Sequence, residues 1–252
     1  MGRVIPFSKL ASEAEKTGCF LDTNFLISLL HPDHGFNQDA KNLFEVMVEY
    51  EIELFITHTI RAEFLDFQRR YLLTKKLEDV SNSIGIWSTK TSSFFKNLAE
   101  TEIKNIKSGD IKILTDAQVK NLRRKVYPNS SRALVGWVSF CKFFLNKEMS
   151  KAWNEIEEIG INYLNLREAE VAGDKEYLHK KIEWEDLVDV IGASGIGAHD
   201  GMILNAFNCS NFDFIVSTDL DIAYSIKHSS HNKTAVIPDS LFKNHSKILQ
   251  NV

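Results

Sequence analysis

Apolar and polar positions follow one another along this chain in two rhythms, and the change between them marks its organisation. Cys19 to Leu21, bounded by Thr17-Gly18, form a short continuous apolar run that reads as a buried strand. The following "TNFLISLLHP" has helical spacing until Pro32 closes it, and from Asn37 to Tyr50 the residues Ala40, Leu43, Phe44 and Met47 recur at intervals of three and four. "IELFIT" is the next strand candidate and "HTIRAEFLDFQRRYLL" the next helix, with Thr59 as its expected cap. Alternation of strand and helix predicts an α/β fold, a doubly wound parallel sheet flanked by helices.

From Thr74 to Leu187 the strand rhythm is lost. "SFFKNLAETEIKNI", "ALVGWVSFCKFFLNKEM" and "AWNEIEEIGINYLNLREAEVA" all carry helical apolar spacing, with breaks at Gly109-Asp110, Pro128-Asn129 and Gly173-Asp174. Residues 74–187 are therefore expected to be an α-helical insertion within a discontinuous α/β domain of residues 17–73 and 188–252. Alternation then resumes with the helix "GAHDGMILNAFNCS", the strand "FDFIVST", the helix "DIAYSIKH" and the strand "KTAVIP".

Composition adds bounds. With 252 residues, 44% hydrophobic and 25% charged, the chain can bury a substantial core. A net charge of -4 argues against binding polyanions through overall charge, though a local basic face can still do so. Cys19, Cys141 and Cys209 are widely spaced and lack a C-x-x-C pair, so neither a disulfide framework nor a zinc knuckle is supported. The N-terminal apolar patch is too short before Glu13, Glu15 and Lys16 for a secretory signal, and no charge-free run reaches membrane-spanning length. A cytoplasmic protein without a membrane partner is expected.

The candidate chemistry lies in carboxylates. A doubly wound sheet gathers its ligand site outside the carboxyl ends of its strands. Asp22 ends the first strand, Glu63 sits one turn into the helix after the second, Asp200 opens the helix "HDGMILNAF", and Asp219 and Asp221 follow "FIVST". Each has a plainer reading: Asp22, Asp219 and Asp221 as caps, Asp200 as a first-turn acid favoured by the helix dipole, Glu63 as a solvated acid. Their coincidence at equivalent strand ends favours a shared site. Converging carboxylates repel, and hard divalent cations that prefer oxygen are their natural partners.

These segments, "FLDTNFLISLL", "FITHTIRAEFL", "GAHDGMILNAF" and "FIVSTDLDI", resemble in order the four acidic motifs of PIN-domain nucleases, and "AVIPDSLF" resembles the family's last strand and helix. The resemblance covers about residues 17 to 70 and 188 to 245. It implies that Asp22, Glu63, Asp200 and Asp219 are catalytic and bind one or two Mg2+ or Mn2+ ions, with Asp221 as an auxiliary ligand. Asn24 would orient Asp22 or a metal-bound water, and Ser217 would support the site. The implied activity is endoribonuclease cleavage of RNA that leaves a 5′-phosphate and a 3′-hydroxyl. Small toxin-type members are about half this length, so the helical middle section falls outside the resemblance, and Ile222 stands where an aromatic is common.

The remaining candidates bear on substrate and partners. Lys120, Arg123, Arg124, Lys125 and Arg132 form a basic run near Tyr127 and Trp137, either a solvated face or a grip on the phosphate backbone. His199, beside Asp200, is a candidate phosphate contact. "GASGIGAHD" lacks the Lys-Ser/Thr of a phosphate loop. RNA is the expected substrate, with DNA, including flaps, left open. A toxin or defence role would add an antitoxin-like protein partner, and a homodimer is a further candidate assembly. The rivals are a PIN-like scaffold that binds without cleaving and an aspartyl-phosphate phosphohydrolase; the latter needs Asp-x-Asp at the first strand, where this chain has Asp22-Thr23-Asn24.

Overall fold

The computed structural model describes residues 2–13, 18–81, 89, 92–98, 100, 113–125, 136–164 and 177–250. Among them six strands form one sheet: β1 (Arg3–Pro6), β2 (Cys19–Leu21), β3 (Leu54–Thr57), β4 (Asn162–Leu164), β5 (Phe214–Val216) and β6 (Thr234–Ile237). The spatial order is β1-β6-β5-β2-β3-β4, and every neighbouring pair is parallel. The helices are α1 (Leu10–Glu13), α2 (Thr23–Leu30), α3 (Asn37–Glu49), α4 (His58–Ser81), α5 (Asp116–Lys125), α6 (Gly136–Phe144), α7 (Asn146–Glu158), α8 (Trp184–Ser194), α9 (Ala198–Cys209), α10 (Leu220–Lys227), α11 (Asp239–Asn244) and α12 (Ser246–Gln250). The chain divides into two compact units, Met1–Phe64 with Gly160–Val252, and Leu65–Ile159.

The first unit holds the sheet. Its inner strands β2, β5, β3 and β6 are buried at every position, as a parallel sheet covered on both faces requires, which is why they read as unbroken apolar runs. Phe20 of β2 is fully buried and packs on Phe207 of α9 and on Phe212, with ring centroids 5.7 and 6.3 Å apart. Each such side chain contributes about 1.5–3 kcal/mol by leaving water, and this packing anchors α9 against the sheet.

The second unit is helical among its described residues. Leu73, Leu77, Phe95, Leu114, Val119, Leu122, Phe140 and Leu145 form its buried core. Phe140 stacks on Phe95 and Trp137 at 5.8 and 5.1 Å. No single helix among the described residues is long and apolar enough to cross a membrane.

Three local expectations change. β4 lies within 74–187, where only helix is expected: α7 ends at Glu158, Gly160 takes a left-handed φ of 72°, and the chain turns into a three-residue edge strand beside β3. β1 comes from the short N-terminal apolar patch, pairing with β6 at the opposite edge, where Pro6 is tolerated because an edge strand leaves one side of its backbone unpaired. Thr59 is not a cap, since α4 begins at His58 directly after β3.

Candidate functional site

The chain leaves β2 toward β3 and β4 on one side and later returns to β5 and β6 on the other, so the switch of direction falls between β2 and β5. Leu21 of β2 lies opposite Val216 of β5, and the Asp22 N–H donates to the Val216 carbonyl at 2.9 Å. This register brings the residues after both strands together. The Ser217 hydroxyl donates to Asp22 Oδ2 at 2.7 Å and accepts from the Asp219 N–H at 2.9 Å.

Asp22 caps α2 through the same Oδ2, which accepts from the Asn24 N–H at 3.3 Å. Capping thus occupies only one of its two carboxylate oxygens. Its other oxygen, Oδ1, is buried without a hydrogen-bond partner, and the residue is 1% exposed. Burial pushes the Asp22 carboxyl up to about 7; the Ser217 hydrogen bond opposes this, while the charges of Asp219, Asp200 and Glu63 add to it.

Asp219 caps α10, with Oδ1 accepting from the Asp221 N–H at 2.8 Å and Oδ2 from Asn24 Nδ2 at 2.9 Å. The Asn24 amide therefore orients Asp219 rather than Asp22, because it projects from the first turn of α2 across to the neighbouring strand's end. Glu63, on α4 beyond β3, accepts from Thr23 Oγ1 at 2.6 Å, and its Oε1 lies 3.3 Å from His199 Nδ1. His199, expected as a phosphate contact, faces this carboxylate from a largely exposed position. Asp200 opens α9 half-buried, and burial followed by the charges of Glu63, Asp219 and Asp221 raises it to about 6. Asp221 is exposed beside it.

The five acids thus arrive from α4, α9, α10 and the end of β2, and the charges of the others bear on Asp22 and Asp200. Among the described residues no three His, Cys, Asp or Glu side chains stand in liganding geometry. Asp22, Asp219 and Glu63 are each turned toward a local hydroxyl, amide or N–H donor. The all-oxygen donor set and the orphaned Asp22 Oδ1 nonetheless suit a hard divalent cation, since a buried, unpaired carboxylate oxygen is costly unless something positive meets it.

Two contributions escape the sequence reading. Thr23 fixes Glu63, and the buried Ser28 hydroxyl lies 3.0 Å from that of Thr218 while donating to the Asn24 carbonyl. Their only signal was hydroxyl residues beside the acids. Lys120, Arg123 and Arg124 are exposed at helical spacing on α5, in the second unit. The Lys125 side chain and Arg132 lie outside the described residues.

No family model matches this chain, and no solved structure matches it. Among curated proteins it is similar to a quinolinate synthase of Clostridioides difficile (strain 630), at 29% identity over 136 residues. That similarity covers 54% of this chain and 39% of the relative, so the chain spans well under half the length of the protein it matches.

Proposed function

We propose that this chain is a metal-dependent nuclease with a PIN-like sheet domain, acting as an endoribonuclease, with Asp22, Glu63, Asp200 and Asp219 as its central carboxylates and Asp221 as an auxiliary. The observation that carries the reading is Asp22: a carboxylate 1% exposed, with one oxygen unpartnered, in the field of three other acids. A purely structural aspartate in that position would be matched by a cation or by donors to both oxygens.

The residues divide the work. Ser217 and the Asn24 N–H hold Asp22 Oδ2, leaving Oδ1 as a free acceptor. Asn24 Nδ2 holds Asp219, and Thr23 with His199 holds Glu63. Mg2+ or Mn2+ bound by these carboxylates would supply activation of water and stabilisation of the leaving oxygen. Because Asp22 and Asp200 are raised toward neutrality, loading the site releases protons and tightens as pH rises. The exposed Lys120, Arg123 and Arg124 supply positive charge that can contact the phosphate backbone.

The absence of any liganding trio among the described residues favours one rival, a PIN-like scaffold that binds nucleic acid or protein without cleaving it. One experiment separates the two. Purified protein is incubated with RNA and DNA, single-stranded and flapped, with Mg2+, Mn2+ or EDTA, beside the Asp22→Asn variant. RNA cleavage that needs the ion and Asp22 is expected; binding without cleavage in every ion would establish the scaffold.

A further inference from the structure

A cavity of about 680 Å³ lies in the sheet-bearing unit, walled by the C-terminal half of α8, the turn after it, α9, α10 and the loop at 228–231. The backbone makes it. Gly195 ends α8 with a left-handed φ of 70°, and the chain axis bends by 117° between α8 and α9. The two helices fold back against each other, so closely at Gly201 that a Cβ there would lie 3.0 Å or less from Leu187 and Ile191, and the cavity opens past the turn that joins them, toward α10.

The cavity continues the carboxylate cluster. On α9, Leu204 and Asn208 follow Asp200 by four and eight residues, and on α10, Tyr224 and Ser225 follow Asp221 by three and four. At 3.6 residues per turn these are the same helix faces. The two helices that open with candidate acids thus carry those faces on into the cavity, and Asp221 itself lines it.

Its chemistry selects a ligand class. Asp189 and Asp221 are among the lining residues, with His228 and His231 but no lysine or arginine, so the site is poorly suited to a phosphate. Val190, Ala193 and Ile196 offer accessible apolar surface, while Ser194, Ser225 and Ser229 offer hydroxyls. Apolar faces with polar edges describe an uncharged heterocyclic ring. The volume falls within the range of roughly 300–1,000 Å³ that small-molecule sites occupy.

We propose that this cavity takes a nucleobase of the substrate strand, turned out of the stack beside the phosphodiester that the carboxylates face. The proposal rests on the nuclease reading and narrows it: the substrate is single-stranded or locally opened, because a base inside a duplex cannot enter such a site.

The test uses adenosine, guanosine, cytidine and uridine, which contain no phosphodiester, with the full chain. Ligand-observed NMR titration is run on the parent, on Asp22→Asn, on Ala193→Trp, which fills the cavity from its α8 wall, and on Ser225→Ala, which removes one hydroxyl with little risk to folding. At least one nucleoside should bind parent and Asp22→Asn with equal affinity, at least tenfold more weakly to Ala193→Trp, and measurably more weakly to Ser225→Ala. Failure of all four to bind, equal binding by parent and both cavity variants, or binding of spermidine in their place would overturn the base site. Cleavage of RNA without nucleoside binding refutes the base site alone. Nucleoside binding lost in the cavity variants, in a protein that cleaves nothing, supports the base site and refutes the nuclease reading.

Discussion

Asp66 and Asp22 are the same residue in opposite surroundings. In the helical unit, Asp66 accepts from Arg69 Nη2 at 2.6 Å and from Arg70 Nε at 3.0 Å, and Arg69 also reaches Asp116 at 2.8 Å. Burial alone would raise the Asp66 carboxyl, but these two guanidinium groups outweigh it and hold the group below its usual range. In the sheet unit, burial raises Asp22, and the charges acting on it are those of Asp219, Asp200 and Glu63. The first arrangement is compensated within its own helix by neighbouring guanidinium groups. The second is the kind of arrangement that clusters at functional sites, where burial and like charges shift pKa values together.

The sharpest way to break this contrast is Asp22→Asn, which keeps shape and removes charge. Cleavage should fall on the order of a thousandfold, about 4 kcal/mol of transition-state stabilisation. Thermal stability in EDTA should stay level or rise, because repulsion is relieved. Parental cleavage rates together with an unchanged melting curve would remove Asp22 from the site.

On the other side of the comparison, Phe140→Ala strikes the aromatic core of the helical unit and should cost about 3 kcal/mol in chemical denaturation. A loss below about 1 kcal/mol would show that the stack of Phe95, Trp137 and Phe140 is not what holds that unit together. Ser217→Ala should lower cleavage by roughly ten- to a hundredfold without a comparable loss of stability, the usual cost of removing a hydrogen bond that orients a ligand.

The two aspartates also predict opposite pH arms. Asp22 holds its proton more tightly folded than unfolded, so its contribution is fully present at acid pH and is lost as pH rises through about 7. In EDTA the parent should lose on the order of 1 kcal/mol between pH 6 and 8, at about 1.4 kcal/mol per unit of pKa, and Asp22→Asn should lose much less. Asp66, held below its usual range, contributes at neutral pH and loses that contribution as the solution is made acid. Asp66→Asn should therefore leave the neutral arm alone and change only the acid one. An identical slope between pH 6 and 8 in parent and Asp22→Asn would exclude Asp22 as its source.

The smallest expected effect lies on the basic face. Arg123→Glu with Arg124→Glu should weaken RNA binding and flatten its salt dependence by roughly one log-log unit for each phosphate that the face no longer neutralises. The manganese-induced rise in melting temperature should be unchanged. Affinity and salt slope at parental values would make α5 a solvated surface.

Much of this architecture was legible beforehand because it is written in local pattern. The runs Cys19–Leu21, Leu54–Thr57, Phe214–Val216 and Thr234–Ile237 are apolar throughout, or nearly so, since strands buried on both faces admit little else, and the helices between them keep their period. The edge strands were not legible. β1 and β4 are as short as the inner strands but open on the exposed polar residues Arg3 and Asn162 instead of running apolar from end to end, and their pairing with β6 and β3 is what makes them strands at all.

The sequence by itself determined which acids stand at the ends of strands and the starts of helices, since those positions follow from where apolar runs stop. Only the tertiary structure decided what each oxygen does. Ser217 meets Asp22, and Asn24 meets Asp219, across 195 positions each, and Thr23 meets Glu63 across 40. The cavity beside Asp221 depends likewise on a bend between two helices. Contacts between residues so distant are set by the register of parallel strands that the chain joins late, and no local rhythm of apolar and polar positions encodes that register.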